Sequence, residues 1–151
     1  VTGTLGGSLL GKHLRFEPRL KEGLILNKNF MIHAMIDISD GLTADLNHIL
    51  EESHVGAILY EDRIPISQAA VEISKKTRNT SIYHALSDGE DYELLFTLSK
   101  GQAKKAVVSH LFDKGMINCI GEITRGRGIQ MKFSDDKTRR IKPRGYEHLK
   151  S

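Results

Sequence analysis

Two short acidic segments hold most of the chemistry this sequence could perform. The first is Ile36-Asp37-Ile38-Ser39-Asp40-Gly41-Leu42, where the apolar run Met35 to Ile38 reads as the end of a buried strand giving way to a helix. Carboxylate oxygens at such a junction suit a hard cation such as Mg²⁺, and helix N-terminal N–H groups suit a phosphate. On this heptad alone, capping explains a Ser39 or Asp40 ahead of Gly41-Leu42 better than metal binding does, since a short polar side chain there satisfies orphan N–H groups. Capping does not explain Asp37, which ends an apolar strand with no basic neighbour in sequence. The second segment is Ser87-Asp88-Gly89-Glu90-Asp91-Tyr92-Glu93-Leu94-Leu95-Phe96, whose acids enter a strand with an apolar far end. Alternation would direct Glu90, Tyr92 and Leu94 one way and Asp91, Glu93 and Leu95 the other. Acids at a strand entrance coordinate a cation, accept hydrogen bonds from a cationic ligand, or stand in solvent. Taken alone, solvent is the simplest reading.

Other chemistries lack their spacing. None of the histidines stands in an H-E-x-x-H pattern, no serine in a G-x-S-x-G elbow, and the glycine-rich Gly3 to Gly7 is not a phosphate loop. His110 reads as a packed or half-exposed helix residue, and Cys119, inside an apolar stretch, as core.

The elements that must position the acids follow from periodicity. Leu42, Leu46, Ile49 and Leu50 form an amphipathic stripe and predict a helix over Leu42 to Glu52. Phe30 to Ile38 reads as a strand, Val55 to Tyr60 as a strand buried on both faces, and Tyr92 to Leu98 as a third. Val1 to Leu5 is strand-like. Short helices are expected over Leu9 to Leu14, over Arg19 to Leu26 with Leu20, Leu24 and Leu26 as its apolar face, over Ala69 to Lys75 behind a Ser67 cap, and over Ile82 to Leu86. A longer one is expected over Gln102 to Lys114, stopped by Gly115. Two closing strands, Ile117 to Ile123 and Gly128 to Phe133, are expected to pair as a hairpin across Thr124-Arg125-Gly126-Arg127. This order predicts an α+β fold in one domain, residues 1–151, with a mixed β-sheet covered by helices.

The 151 residues, 39% hydrophobic and 27% charged, describe an ordinary globular domain. No apolar run nears the roughly 18 residues of a membrane span, so no membrane partner is expected. One cysteine forms no internal disulfide and suggests a reducing, cytoplasmic setting. Lys and Arg crowd the last quarter, from Arg125 to Arg144, with Phe133 the one aromatic among them. That reads as a solvated edge hairpin guarded by cations rather than a nucleic-acid surface. The chain starts without methionine on residues that already look structural, which suggests a piece of a longer protein.

Taken together, Gly11-Lys12-His13-Leu14, the Asp37 to Leu42 segment with Asp45-Leu46 and His48-Ile49, Gly89-Glu90-Asp91-Tyr92-Glu93-Leu94-Leu95-Phe96 and Gly145-Tyr146-Glu147-His148 resemble the C-terminal domain of the thiamine-monophosphate kinase family. That family lies within the aminoimidazole-ribonucleotide synthetase superfamily. The resemblance runs the whole chain, and the Gly89 to Phe96 and Gly145 to His148 segments point to the thiamine branch more than the Asp37 to Leu42 segment, which recurs across the superfamily. It implies a kinase that uses ATP and Mg²⁺ to phosphorylate thiamine monophosphate to thiamine diphosphate. Asp37 and Asp40 would bind Mg²⁺, Ser39 would contact ATP, and Glu90 and Tyr146 would bind the substrate. No general base is implied, since phosphoryl transfer depends on neutralised charge and placement. The resemblance also implies an absent N-terminal domain carrying further aspartates, the main nucleotide contacts and a homodimer interface. The chain alone is therefore expected to fold without turning over. Asp88 stands where the family usually has glycine, a replacement that would matter if the position demands a positive φ and that sets an extra charge beside Glu90.

Overall fold

The computed structural model describes residues 1–11, 14 and 16–145. The opening segment is extended, with isolated bridges from Thr2 to Ile117 and from Leu5 to Ile66 and a 3₁₀ turn at Ser8–Leu10. Then follow α1 (Leu20–Asn29), β1 (Ile32–Asp37), α2 (Leu42–Ser53), β2 (Gly56–Tyr60), α3 (Gln68–Ser74), α4 (Ser81–Ser87), β3 (Leu94–Leu98) and α5 (Lys100–Val107). Strands β4 (Gly121–Thr124), β5 (Gly128–Lys132) and β6 (Thr138–Ile141) complete the order.

The strands form two sheets. β1 pairs antiparallel with β3, with Asp37 opposite Leu94, and the others form a mixed sheet ordered β4-β2-β5-β6. One core joins them. The α2 stripe Leu42, Leu46, Ile49 and Leu50 packs with Ile38 and Leu95 of the first sheet region and Ala57, Leu59, Ile129 and Met131 of the second. The expected mixed α+β architecture is the observed one.

The expected closing hairpin is not. β2 lies between β4 and β5, antiparallel to the first and parallel to the second. Its apolar residues take the centre of the sheet, and residues 125–127 arch over its end. Gly56 permits that passage, because a Cβ there would lie 2.9 Å from the Gly126 carbonyl carbon and 3.0 Å from the Gly128 oxygen. The true hairpin joins β5 to β6, the latter exposed and carrying Arg139 and Arg140 at the sheet edge.

Four other expectations are corrected. Leu20 and Leu24 are 74% and 73% exposed. Helix α1 docks through Gly23, which faces Leu94, and through the fully buried Leu26. α5 ends at Val107, and beyond it the Leu111 N–H bonds the Ser109 hydroxyl in place of a helical carbonyl. Cys119 is exposed, since Ile117 and Ile120 on either side take the core positions. The Met35 to Ile38 run is not wholly buried: residues alternate along β1, leaving Met35 and Asp37 outward.

Candidate functional site

The first acidic segment is a tight turn from the end of β1 into α2, and its conformation is set from within. The N–H groups of Ser39, Asp40 and Gly41 all donate to one oxygen, Oδ2 of Asp45, at 3.0, 3.1 and 3.1 Å. Asp45 is only 2% exposed. Burial pushes its carboxyl above the ordinary carboxylate range, against the three N–H bonds that favour the ionised form. Capping is thus reversed from the sequence reading. Gly41 is the N-cap and supplies no side chain, and an acid one turn inside the helix reaches back, as in a capping box. The signal was present in sequence: Asp45 interrupts the apolar stripe between Leu42 and Leu46.

With the backbone N–H groups taken by Asp45, the turn's side chains are not needed to cap it. Among the described residues, the side chains of Asp37, Ser39 and Asp40 make no hydrogen bond or ion pair. Asp37 is exposed, and Ser39 and Asp40 are half-buried. Hard, unpartnered oxygens are the donor set a divalent cation such as Mg²⁺ takes. Carboxylate oxygens of Asp40 and Asp45 and a ring nitrogen of His48 also lie within 4.8 Å of one another, a group that Asp37 does not join.

The second acidic segment docks onto this turn through the backbone. Glu90 N–H donates to the Ser39 carbonyl at 2.7 Å, and Tyr92 N–H to the Ile38 carbonyl at 2.9 Å. Just before Glu90, Gly89, at φ +71°, lies so close that a Cβ would stand 2.7 Å from the Ser39 oxygen. Glu90 and Tyr92 both hold φ 52°, a left-handed backbone that ordinary residues avoid. Tyr92 stacks on Phe16, ring centroids 4.1 Å apart.

Asp91 and Glu93 alternate inward as the spacing requires, but both are buried rather than solvated. Asp91 Oδ1 accepts the Gly6 N–H at 2.8 Å. Glu93 takes Arg19 in a two-point grip, Nε to Oε2 at 2.8 Å and Nη2 to Oε1 at 2.9 Å, and Thr2 donates to Oε2 at 2.6 Å. These acids hold the loop that carries Glu90.

Asp88 needs no positive φ, since its φ is −68°. Its carboxylate bonds Nδ1 of the buried His84 at 2.9 Å and accepts the Gly7 N–H at 3.5 Å. His84, one turn back on α4, had no mark in sequence beyond the i, i+4 spacing to Asp88.

Tyr146 lies outside the described residues, as do Lys12 and His13 of the Gly11 to Leu14 segment. Gly145, the residue before Tyr146, sits against the Asp40 carbonyl, where a Cβ would come within 2.6 Å. Arg144 N–H and its carbonyl both bond Thr43 Oγ1 in the first turn of α2, at 3.0 and 2.9 Å. The site is separate from an apolar groove of about 1040 Å³ between α5 and strands β3 and β4, which none of Asp37, Ser39, Asp40 or Glu90 lines.

Two docked acidic turns on an α+β frame mark the class. The chain belongs to the family described as AIR synthase related protein, C-terminal domain, whose sequence model matches residues 2–142. Within it, the chain is similar to thiamine-monophosphate kinases. It is 39% identical over 149 residues to the enzyme of Rhodopirellula baltica, covering 98% of this chain and 46% of that protein. It is 34% identical to that of Escherichia coli, covering 93% of this chain and 42% of the other. The crystal structure of thiamine monophosphate kinase from Aquifex aeolicus superposes with a TM-score of 0.70 at 28% identity, over 94% of this chain and 50% of that one. A further match, at a TM-score of 0.65, is AaThiL complexed with AMPPCP and TMP. The E. coli hydrogenase maturation protein HypE shares the fold, at a TM-score of 0.70 and 15% identity. The chain spans about half the length of the curated relatives it matches. Among the described residues no helix is long and apolar enough to cross a membrane.

Proposed function

We propose that this chain is the C-terminal, substrate-binding part of a kinase that transfers the γ-phosphoryl group of ATP to thiamine monophosphate, giving thiamine diphosphate and ADP. The observation that carries the reading is the docking of the two acidic turns: Glu90 is bonded through its backbone to Ser39, beside two carboxylates without partners among the described residues. Likeness to thiamine-monophosphate kinases over 98% of the chain supports it, as does the match to a kinase structure holding AMPPCP and TMP.

In this reading Asp37 and Asp40 hold Mg²⁺, which when bound offsets the negative charge on the phosphate groups. Ser39 offers its hydroxyl to an ATP phosphate. Glu90 sets a carboxylate against the cationic, amino-bearing rings of thiamine. The left-handed backbone at Glu90 and Tyr92 supports that role, since strain of this kind gathers at sites that need a fixed side-chain direction. Tyr146 stacks on the thiamine end of the substrate, and Gly145 brings the chain to the same turn. The terminal phosphate oxygen of thiamine monophosphate attacks the γ-phosphorus as the bond to ADP breaks, so the chain's work is placement rather than acid–base chemistry. A preceding domain supplies the remaining nucleotide contacts and the dimer interface, and the enzyme works in the cytoplasm.

The test is to incubate the full-length protein with ATP, Mg²⁺ and thiamine monophosphate and follow thiamine diphosphate. Product from the full-length protein and none from residues 1–151 alone is expected. No product with thiamine monophosphate, alongside ATP hydrolysis driven by an aminoimidazole precursor, would overturn the reading.

A further inference from the structure

We infer that Asp45 is the positioning residue of this site: its buried carboxylate fills the turn's own N–H cradle, closes the backbone to phosphate, and leaves the turn's side chains to hold the cation. The inference deepens the reading above and rests on it for the roles of Asp37 and Asp40.

Three successive N–H groups converging at a helix start form a ready anion cradle. Here the chain supplies the anion itself. Asp45 Oδ2 takes the N–H groups of Ser39, Asp40 and Gly41 within 3.1 Å. An acid in the first turn also sits well in the helix dipole. A nucleotide phosphate therefore finds no backbone donor at these three residues. Their side chains are what the turn presents, and those of Asp37, Ser39 and Asp40 make no bond to protein among the described residues. The same clamp sets the direction in which they project. Asp45 thus acts through the backbone on the first acidic segment, whereas the second docks on the Ser39 carbonyl and on none of the N–H groups that Asp45 holds.

The experiment uses the full-length protein with Asp45→Asn, which keeps the shape and removes the charge, and Asp45→Ala. Three quantities are read: amide hydrogen exchange at residues 39–41, the Mg²⁺ concentration for half-maximal activity, and KM for thiamine monophosphate. Faster exchange at the three amides is expected, with Mg²⁺ half-saturation raised about tenfold or more, as for the loss of an outer-shell partner, and KM for thiamine monophosphate nearly unchanged. A merely structural residue would not split the two constants. If Asp40→Asn raises the Mg²⁺ requirement while both Asp45 variants leave it and the exchange unchanged, the inference is overturned and the kinase reading stands. If the Asp45 variants free the amides yet neither they nor Asp40→Asn alter the Mg²⁺ requirement, the metal assignment fails and takes the inference with it. Should Asp45→Ala fail to fold, Asp45→Asn alone decides.

Discussion

The backbone N–H of Glu90 donates to the carbonyl of Ser39 across 2.7 Å, joining two segments that lie 51 positions apart into one surface. Each alone reads as an ordinary turn or a solvated strand entrance. Joined, they set a carboxylate suited to a cationic ring beside carboxylates suited to a metal ion.

The joint depends on Gly89. A Cβ there would stand 2.7 Å from the Ser39 oxygen and 3.0 Å from the Asp40 oxygen, at a φ of +71°. Gly89→Ala should cost about 1–3 kcal/mol in stability from backbone strain alone and should lower kcat by unseating Glu90 from the turn. Thermal unfolding and steady-state kinetics check both. A variant with wild-type values in both would contradict the docking.

The Glu93 carboxylate, 3% exposed, is neutralised from outside by Arg19. Arg19→Ala removes both guanidinium bonds and leaves a buried charge supported by Thr2. A loss of about 2–3 kcal/mol is expected, since the arginine is itself partly exposed. Glu93→Gln, which removes the charge as well as the pairing, should cost less. Denaturant titration of both variants orders them, and the reverse order would refute the account of this pair.

Asp88 belongs to the frame and not to the substrate. Its carboxylate bonds the ring of His84, which is 1% exposed, and the Gly7 N–H. Asp88→Gly, the residue usual in the family it resembles, should destabilise the domain by about 1–3 kcal/mol by leaving a buried ring nitrogen without its partner. KM for thiamine monophosphate should stay within about twofold. A large rise in KM with unchanged stability would return Asp88 to the binding site.

What could be read from sequence was local. The α2 stripe, the near-continuous apolar β2 and the Ser67 cap, which accepts the Ala70 N–H at 3.0 Å, each follow from neighbours within a turn or two. What could not be read was set by distant partners. β2 separates β4 from β5 only because Gly56 lets residues 125–127 cross its end. Arg19 meets Glu93 across 74 positions. The site divides the same way. Its residue types and the turn at Asp37 to Asp40 were legible, whereas the clamp by Asp45, the burial of Asp91 and Glu93, and the docking of Glu90 on Ser39 needed the folded chain.

The central claim, that the Asp37 to Asp40 turn holds the divalent cation of a phosphoryl transfer, is tested most directly by Asp37→Asn in the full-length protein. The side chains are nearly the same shape and Asp37 is exposed, so the fold should survive. The measurement is thiamine diphosphate formation as a function of Mg²⁺ at fixed ATP. The account predicts a Mg²⁺ half-saturation raised about tenfold or more, and a wild-type Mg²⁺ dependence would contradict it.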